Sequence, residues 1–205
     1  PESEFAAASH MALGEYYFDN HQIGSAIDNY EMVVKLHAPD GQHYEKGLYK
    51  LAWSHYKLSS YDVALDLLAK LLDWSEENFL RTGKRSAMAP EAVEYTAISF
   101  SDISDRTGMD PVQVAQRFYR KIGEREYESK VYERLADVLT QQARYLPAIQ
   151  AYKTMIQRWP NAPENPTHMW TIAKLYRSLD VPDQESAQNT ITKLNELFNR
   201  DSSWA

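Results

Sequence analysis

The feature that most constrains the fold is a frame of small residues that recurs along the chain at a nearly fixed spacing. In its clearest copy, Ala136 lies twelve residues before Ala148, and Pro160 lies twelve residues after Ala148. The first small residue of the frame recurs at Gly14, Ala52, Ala97, Ala136 and Ala173. Self-similarity with a period of this length predicts a helical-repeat array in which each copy forms one supersecondary unit.

The residue types in the frame have a physical reason. Two antiparallel helices approach closely only where Gly or Ala removes side-chain bulk, and large neighbours such as Tyr30 and Tyr152 then fill the space around that contact. One helical hairpin cannot bury its apolar face alone, so each repeat must cover the next. The pattern therefore predicts an all-α fold that is stabilised between neighbouring repeats.

The frame also carries a family resemblance. Its clearest copy reads Tyr132-x2-Leu135-Ala136-x2-Leu139, then Tyr145, Ala148-x3-Tyr152 and Pro160. This resembles the 34-residue tetratricopeptide repeat (TPR), whose pattern is W-x2-L-G-x2-Y, then A-x3-F and P. The resemblance implies a right-handed α-solenoid of about five helix–turn–helix repeats.

The repeats nearly fill the chain, so we expect a single TPR domain over residues 1–205 that belongs to a longer protein. A serine pair, Ser59-Ser60, is expected to supply turn and cap chemistry inside the second repeat. Asp110 followed by Pro111 predicts a helix start inside the third. The expected repeats lie at about 7–40, 45–78, 90–125, 129–162 and 166–201.

Composition excludes several kinds of site. The chain has no cysteine, which removes disulfides and cysteine-ligated zinc. Its net charge of −7 argues against a general nucleic-acid surface, which needs a basic face. No apolar run reaches the length that crosses a bilayer. No zinc-protease helix or phosphate loop is present. We therefore predict no enzyme activity, catalytic residue, metal site, cofactor or direct membrane insertion.

One segment exceeds a normal turn between repeats. Residues 74–89 contain Arg81, Lys84 and Arg85 beside Phe79 and Leu80. Insertions in repeat arrays usually form loops on one face, often the binding face. Two interpretations remain open: a lengthened helix followed by a solvated loop, or a basic flap that contacts a partner.

The resemblance also implies a binding surface. In TPR proteins the first helix of each repeat lines a concave groove, through its second, fifth, sixth, ninth, twelfth and thirteenth residues. Carried over by position, the predicted partner-binding residues are Lys46, Tyr49, Lys50, Trp53, Tyr56, Lys57, Glu94, Lys130, Arg134, Trp170, Lys174 and Arg177.

Two aromatic and basic patches stand out among these residues, one around Trp53 and one around Trp170. Aromatic residues and Arg are enriched at interface hot spots, so a peptide with acids and an apolar anchor would suit both patches. The alternative is that the aromatics pack against the neighbouring hairpin. The lysines would then pair with acids of the chain, for which Glu45, Glu91 and Glu94 are the candidates.

These features predict a non-catalytic scaffold or adaptor that binds another protein or peptide in the groove and organises a bacterial multiprotein assembly. The alternative is a structural module that forms homo-oligomers through its end faces. The doubled prolines after Arg158-Trp159, at Pro160 and Pro163, resemble those of bacterial cell-envelope TPR scaffolds. That resemblance favours the periplasm or cell envelope, with the cytoplasm as the alternative compartment.

Overall fold

The computed structural model describes residues 2–36 and 43–198, which form ten α-helices and contain no β-strand. The helices are α1 (Glu2–Asp19), α2 (Ile23–Leu36), α3 (Tyr44–Lys57), α4 (Tyr61–Thr82), α5 (Ala89–Thr107), α6 (Pro111–Ile122), α7 (Glu128–Gln141), α8 (Tyr145–Arg158), α9 (Asn165–Arg177) and α10 (Gln184–Leu197).

Consecutive helices pack as hairpins. α1 packs on α2, α3 on α4, α7 on α8 and α9 on α10, while Phe100 of α5 lies 5.6 Å from Phe118 of α6, measured between ring centres. Contacts between α2 and α3, and between α8 and α9, join neighbouring hairpins. The fold class predicted from the sequence, an all-α array of TPR-type helix–turn–helix repeats, is confirmed.

The chain divides into two compact units, with the boundary inside α5. The N-terminal unit covers Pro1–Ser99, and the C-terminal unit covers Phe100–Ala205. Each unit has its own buried core. Tyr30, Leu48 and Leu68 are fully buried or nearly so in the N-terminal unit, as are Phe100 and Tyr132 in the C-terminal unit.

The small residues of the sequence frame lie at the helix contacts. Gly14 is buried in the first hairpin. The alanines of the frame are at most 1% exposed, and they are Ala26, Ala52, Ala64, Ala97, Ala115, Ala136, Ala148, Ala173 and Ala187. This burial confirms that the frame marks where helices touch rather than a surface pattern.

Three hairpin turns share one backbone geometry. His21, Ser59 and Ala143 each adopt a left-handed conformation, with φ of 60°, 57° and 57°. In each turn the next residue donates its N–H to the carbonyl five positions back, as Ser60 does to His55 at 2.9 Å. Such a bond closes the end of the preceding helix. The repeats therefore share turn geometry even where their turn residues differ.

The predicted helix starts were partly right. Asp110 Oδ1 accepts hydrogen bonds from the N–H groups of Val112 (2.9 Å) and Gln113 (3.2 Å), which confirms the cap before Pro111. The cap chemistry expected of Ser60 is wrong, because its side chain makes no cap hydrogen bond. The backbone turn at Ser59 closes that connection instead.

The long segment after the second repeat extends its second helix. α4 continues to Thr82 and ends at Gly83, whose φ of 74° suits a residue without Cβ. Arg85 folds back, and its guanidinium forms two hydrogen bonds of 3.0 Å to Glu76 and lies 4.0 Å from the centre of the Phe79 ring. The lengthened helix of the first interpretation is confirmed, and contact of the basic residues with a partner, the second interpretation, stays a prediction.

Gly14 gives a direct test of the close helix contact. A Cβ at this position would lie 2.5 Å from the ring of the fully buried Tyr30, whereas a Cβ at Gly24 in the neighbouring α2 would meet nothing within 4 Å. We predict that Gly14→Ala lowers the free energy of unfolding by about 1–3 kcal/mol through overpacking. Gly24→Ala is the matched control and should be neutral or stabilising by up to about 1 kcal/mol. Denaturant unfolding of both variants measures this, and equal effects would contradict the proposed contact.

Candidate functional site

The first helices of successive repeats lie side by side in the N-terminal unit. Lys46 Nζ of α3 lies 2.7 Å from Glu15 Oε1 of α1, and Lys50 Nζ lies 5.9 Å from the ring centre of Phe18. On the other side of α3, the ring centre of Trp53 lies 4.3 Å from that of Tyr95 in α5. The unit therefore gathers its predicted partner-binding residues on adjacent helices.

Three of these aromatic residues form a cluster within the unit, which we call the aromatic cluster: Trp53, Tyr56 and Tyr95. Trp53 and Tyr56 stack with 5.5 Å between ring centres and 8° between planes, and the Tyr95 ring meets Tyr56 at 5.3 Å. All three side chains are half-buried. The rings cover much of one another's surface, and each side chain remains partly exposed to solvent.

The charges around the aromatic cluster are largely engaged. Lys46 forms its ion pair with Glu15, rather than with one of the acids considered in the sequence, and Lys57 Nζ lies 5.1 Å from the centre of the Trp53 ring. Burial raises the pKa of Tyr95, and the nearby carboxylates of Glu94 and Glu91 raise it further. The pKa of Tyr49 is raised in the same way, first by burial, then by Tyr95 and those two acids.

The second predicted patch, in the C-terminal unit, is open. Trp170 is 46% exposed on α9. Lys174 and Arg177 follow at four and seven residues, a spacing that places them on the same face of the helix. Among the described residues, none of these three side chains has a ring contact, hydrogen bond or ion pair. We call Trp170, Lys174 and Arg177 the open face of α9.

The two patches occupy equivalent places in the repeat. Trp170, Lys174 and Arg177 stand three residues before, one after and four after Ala173. Tyr49, Trp53 and Tyr56 hold the same offsets from Ala52. In α3 two of these positions, those of Trp53 and Tyr56, are covered by Tyr95 of the next repeat's first helix. Their equivalents in α9, Lys174 and Arg177, have no side-chain contact of this kind among the described residues. The same positions are thus covered in α3 and uncovered in α9.

The two remaining predicted residues lie on α7. Lys130 is exposed, and Arg134 is half-buried. Lys130 is the only predicted partner-binding residue that lines a cavity of about 580 Å³ between α7, the end of α8 and the start of α9. The other cavity-lining residues include Glu133, Met155, Arg158, Trp159, Asn165 and His168.

Sequence reasoning missed the polar residues that shape this cavity. Asn165 is fully buried, and its Nδ2 donates to the carbonyls of Trp159 (2.8 Å) and Pro160 (2.9 Å), which holds the turn between α8 and α9. His168 is also buried and lies 5.3 Å from Tyr152 between ring centres. The available signal was a polar Asn and His at a helix start that directly follows a proline-rich turn.

Arg158 is fixed at the cavity wall by a buried carboxylate. Its Nη2 donates to Glu128 Oε2 at 3.1 Å, Nη1 lies 2.5 Å from Oε1, and the Glu128 side chain is only 2% exposed. Burial raises the pKa of the Glu128 carboxyl, and the charge of Arg158 and its hydrogen bond act in the opposite direction. The arginine therefore opposes the effect of burial on this carboxyl group.

No family model matches the chain, and no curated protein matches it in sequence. Among solved structures, the MamA protein is 17% identical with a TM-score of 0.45, over 93% of this chain and 91% of that one. The TPR-like repeats of a Podospora anserina putative kinesin light chain are 14% identical with a TM-score of 0.44, over 92% and 93%.

A third similar structure is the Rap conjugation gene regulator of plasmid pLS20 in complex with the Phr* peptide. It is 15% identical with a TM-score of 0.42, and the match covers 91% of this chain and 52% of the regulator. At these identities and scores the likeness carries no conclusion about function. The fold assignment rests on the helices and their small-residue contacts.

The described residues contain no metal site and no membrane-spanning helix. Within residues 2–36 and 43–198, no group of three or more His, Cys, Asp or Glu side chains is placed to hold a metal ion. No helix in the described part of the chain combines the length and the apolar character needed to cross a membrane.

The Glu128–Arg158 pair predicts a pH-dependent loss of stability. Arg158→Ala leaves Glu128 buried without its cation, so its pKa in the folded state rises further above the unfolded value. We predict a loss of roughly 2–3 kcal/mol at pH 8, below the full cost of breaking a buried pair because Arg158 is 31% exposed. The folded state then binds more protons than the unfolded state, so the loss shrinks as pH falls toward 5.

Glu128→Gln in the Arg158→Ala background is the matched control. It removes the buried charge, so part of the lost stability should return at pH 8. The stability loss relative to the wild type should then no longer depend on the protonation of residue 128. Thermal and denaturant unfolding at pH 5 and pH 8 measure both effects. An equal loss at the two pH values, or no recovery in the double variant, would show that the ion pair does not have this role.

Proposed function

We propose that this protein is a non-catalytic scaffold that binds a segment of a partner protein on the open face of α9. The observation that carries the proposal is an exposed Trp170 flanked on one helix face by two cations, Lys174 and Arg177, that have no counter-ion among the described residues. Trp and Arg are the residue types that most often dominate binding energy at protein interfaces.

The chemistry of this face indicates the partner. The indole of Trp170 offers a large apolar surface, and the guanidinium of Arg177 can hold a carboxylate through two parallel hydrogen bonds. Because the chain carries a net charge of −7, an acidic partner is repelled at long range, and these two cations supply the local attraction. A segment with Asp or Glu beside an apolar anchor meets both requirements.

The shape of the occupant follows from the repeat. Two of the three positions equivalent to the open face of α9, those of Trp53 and Tyr56, are covered in α3 by another helix, α5, which contributes Tyr95. A helix in the partner can occupy the open face in the same way, with residues spaced three and four apart as anchors. We therefore propose an acidic amphipathic helix as the bound segment.

The other predicted residues contribute less to the proposed binding surface. Lys130 adds a cation beside the cavity next to α9, and Arg134 extends that surface along α7. The remaining seven lie in the N-terminal unit, where packing among the rings leaves a partner less free surface, so substitutions there should cost stability as well as binding. These seven are Lys46, Tyr49, Lys50, Trp53, Tyr56, Lys57 and Glu94.

We place this binding activity in a multiprotein assembly of a bacterial cell envelope. The support for this finer proposal is the resemblance of the proline-rich turn between Arg158 and Pro166 to the turns of cell-envelope TPR scaffolds. Fractionation of the source cells, with the protein detected by antibody, tests the compartment separately from binding.

The open face predicts which peptides the protein selects. A display library of helical 16-residue peptides, screened against the wild type, should enrich sequences with acidic residues beside Trp, Phe or Leu. Calorimetry on one selected peptide should show that Trp170→Ala weakens binding by at least about tenfold, which is about 1.4 kcal/mol. Lys174→Glu with Arg177→Glu should abolish binding of the acidic peptide.

Lys84→Glu is the matched control, because Lys84 is an exposed lysine that does not belong to the open face of α9. It makes the same charge change as Lys174→Glu and should leave the affinity unchanged. Enrichment of basic peptides would overturn the proposal. So would a selected peptide that binds the Trp170→Ala protein as tightly as the wild type.

A further inference from the structure

The cavity between α7, α8 and α9 has a buried histidine in its wall whose hydrogen bonds the fold does not complete. The His168 side chain is only 7% exposed, and its ring packs on Tyr152. Its Nδ1 has no hydrogen-bond partner among the described residues. The hydroxyl of Tyr152 is engaged elsewhere, because it donates to Asp137 Oδ1 at 3.0 Å. Buried polar atoms are rarely left in this state, so stability alone does not explain this histidine.

The second nitrogen of the ring faces a carboxylate. His168 Nε2 lies 3.8 Å from Glu133 Oε1, and both side chains line the cavity. Hydrogen bonds from N–H to oxygen span about 2.7–3.2 Å, so the two atoms are close but not bonded to each other. The charge of Glu133 favours the tautomer that carries its proton on Nε2. A donor and an acceptor therefore face each other at a distance that one further atom can bridge.

A hydroxyl is the group that can bridge these two atoms. Its oxygen accepts from Nε2–H, and its proton is donated to the carboxylate. An ammonium group only donates and an ionised carboxylate only accepts, so neither satisfies both sides. The side chain of Glu133 is 51% exposed and can adjust to the hydroxyl, while the buried His168 stays fixed. The polar atom of a matching ligand is therefore a hydroxyl oxygen.

Other parts of the cavity wall are apolar. Met155 is 5% exposed, and Trp159, Pro160 and Ala162 also line the cavity. The indole of Trp159 lies 5.1 Å from the guanidinium of Arg158, measured to the ring centre. A thioether and an indole both make favourable contacts with a further aromatic ring. A hydroxyl carried on an aromatic ring, which is a phenol, therefore suits this wall. A sugar fits less well, because apolar residues leave many of its hydroxyls without partners.

The charges around the cavity favour a neutral ligand. Four charged side chains line it, two cations and two anions, and these are Lys130, Arg158, Glu133 and Glu164. Arg158 is also paired with the buried Glu128. An ionised ligand of either sign would therefore meet a like charge as well as an opposite one. A phenol has a pKa of about 10 and is neutral at physiological pH.

We propose that this cavity binds a phenol group, with the hydroxyl between His168 and Glu133 and the ring against Met155 and Trp159. The volume of about 580 Å³ lies in the range of small-molecule sites and leaves room for groups attached to the ring. The same chemistry is offered by a tyrosine in a partner segment and by a free phenolic compound.

This site is separate from the open face of α9. His168 and Trp170 are two residues apart, so at 3.6 residues per turn they lie about 200° apart around the helix. A segment bound on the open face does not cover the cavity. The inference therefore goes beyond the proposed function and does not depend on it.

A pair of ligands that differ only in the hydroxyl tests the site. N-acetyl-tyrosinamide and N-acetyl-phenylalaninamide are titrated into the protein, and binding is read from the NMR signal of the His168 ring. His168→Phe identifies that signal by its loss and keeps an aromatic ring beside Tyr152. The tyrosine amide should bind in the millimolar range and shift the signal. The phenylalanine amide should bind at least about tenfold more weakly, because it leaves donor and acceptor unbridged.

Two variants locate the hydroxyl contact. Glu133→Ala removes the acceptor and should reduce the affinity for the tyrosine amide to that for the phenylalanine amide. Glu164→Ala is the matched control, because it removes the other exposed carboxylate of the cavity lining and should keep the preference. The acidic peptide selected for the open face should bind Glu133→Ala as tightly as the wild type, so the two proposals fail separately.

Three results would overturn the phenol site. They are equal affinity of the wild type for the two amides, an unshifted His168 signal with millimolar tyrosine amide, and a Glu133→Ala protein that keeps the preference. A titration with p-cresol distinguishes the two sources of the phenol. Tighter binding of the tyrosine amide than of p-cresol supports a tyrosine in a partner segment, and the opposite order supports a free phenolic compound.

Discussion

The close approach of paired helices at a buried Gly or Ala is the contact on which the structure depends. Gly14 leaves room for the ring of Tyr30, and the alanines at the equivalent places of the other hairpins are almost fully inaccessible to water. These contacts set the distance between the two helices of a repeat. They also fix which residues of its first helix face the next repeat, so the position of every candidate surface follows from them.

Equivalent positions in two repeats of this chain differ in what covers them. The offsets from Ala52 that carry Trp53 and Tyr56 are covered by Tyr95 in the N-terminal unit. The same offsets from Ala173 carry Lys174 and Arg177, whose side chains have no partner among the described residues, and the exposed Trp170 lies beside them. Two patches that look alike in sequence therefore differ in availability. Because the patch on α9 is uncovered and the patch on α3 is covered, we propose that the partner binds at α9.

Much of the fold could be predicted because its signals are local. Small residues at fixed spacing indicated the hairpins, and Asp110 before Pro111 indicated a helix start. The sequence could not show which aromatic rings would be covered, because Trp53 is covered by Tyr95, a residue forty-two positions away. The cavity beside Asn165 was missed for the same reason, since it forms where three helices meet. The Ser60 cap was wrong because the backbone turn at Ser59 closes the helix.

Hydroxyl-radical footprinting read by mass spectrometry tests the central claim most directly, because it reports the accessibility of each tryptophan in the unmodified protein. The account predicts that Trp170 is oxidised faster than Trp53, while the fully buried Tyr30 and Tyr132 stay protected. The selected acidic peptide should then protect Trp170 and leave the rate at Trp53 unchanged. Equal rates at the two tryptophans in the free protein, or a faster rate at Trp53, would contradict it.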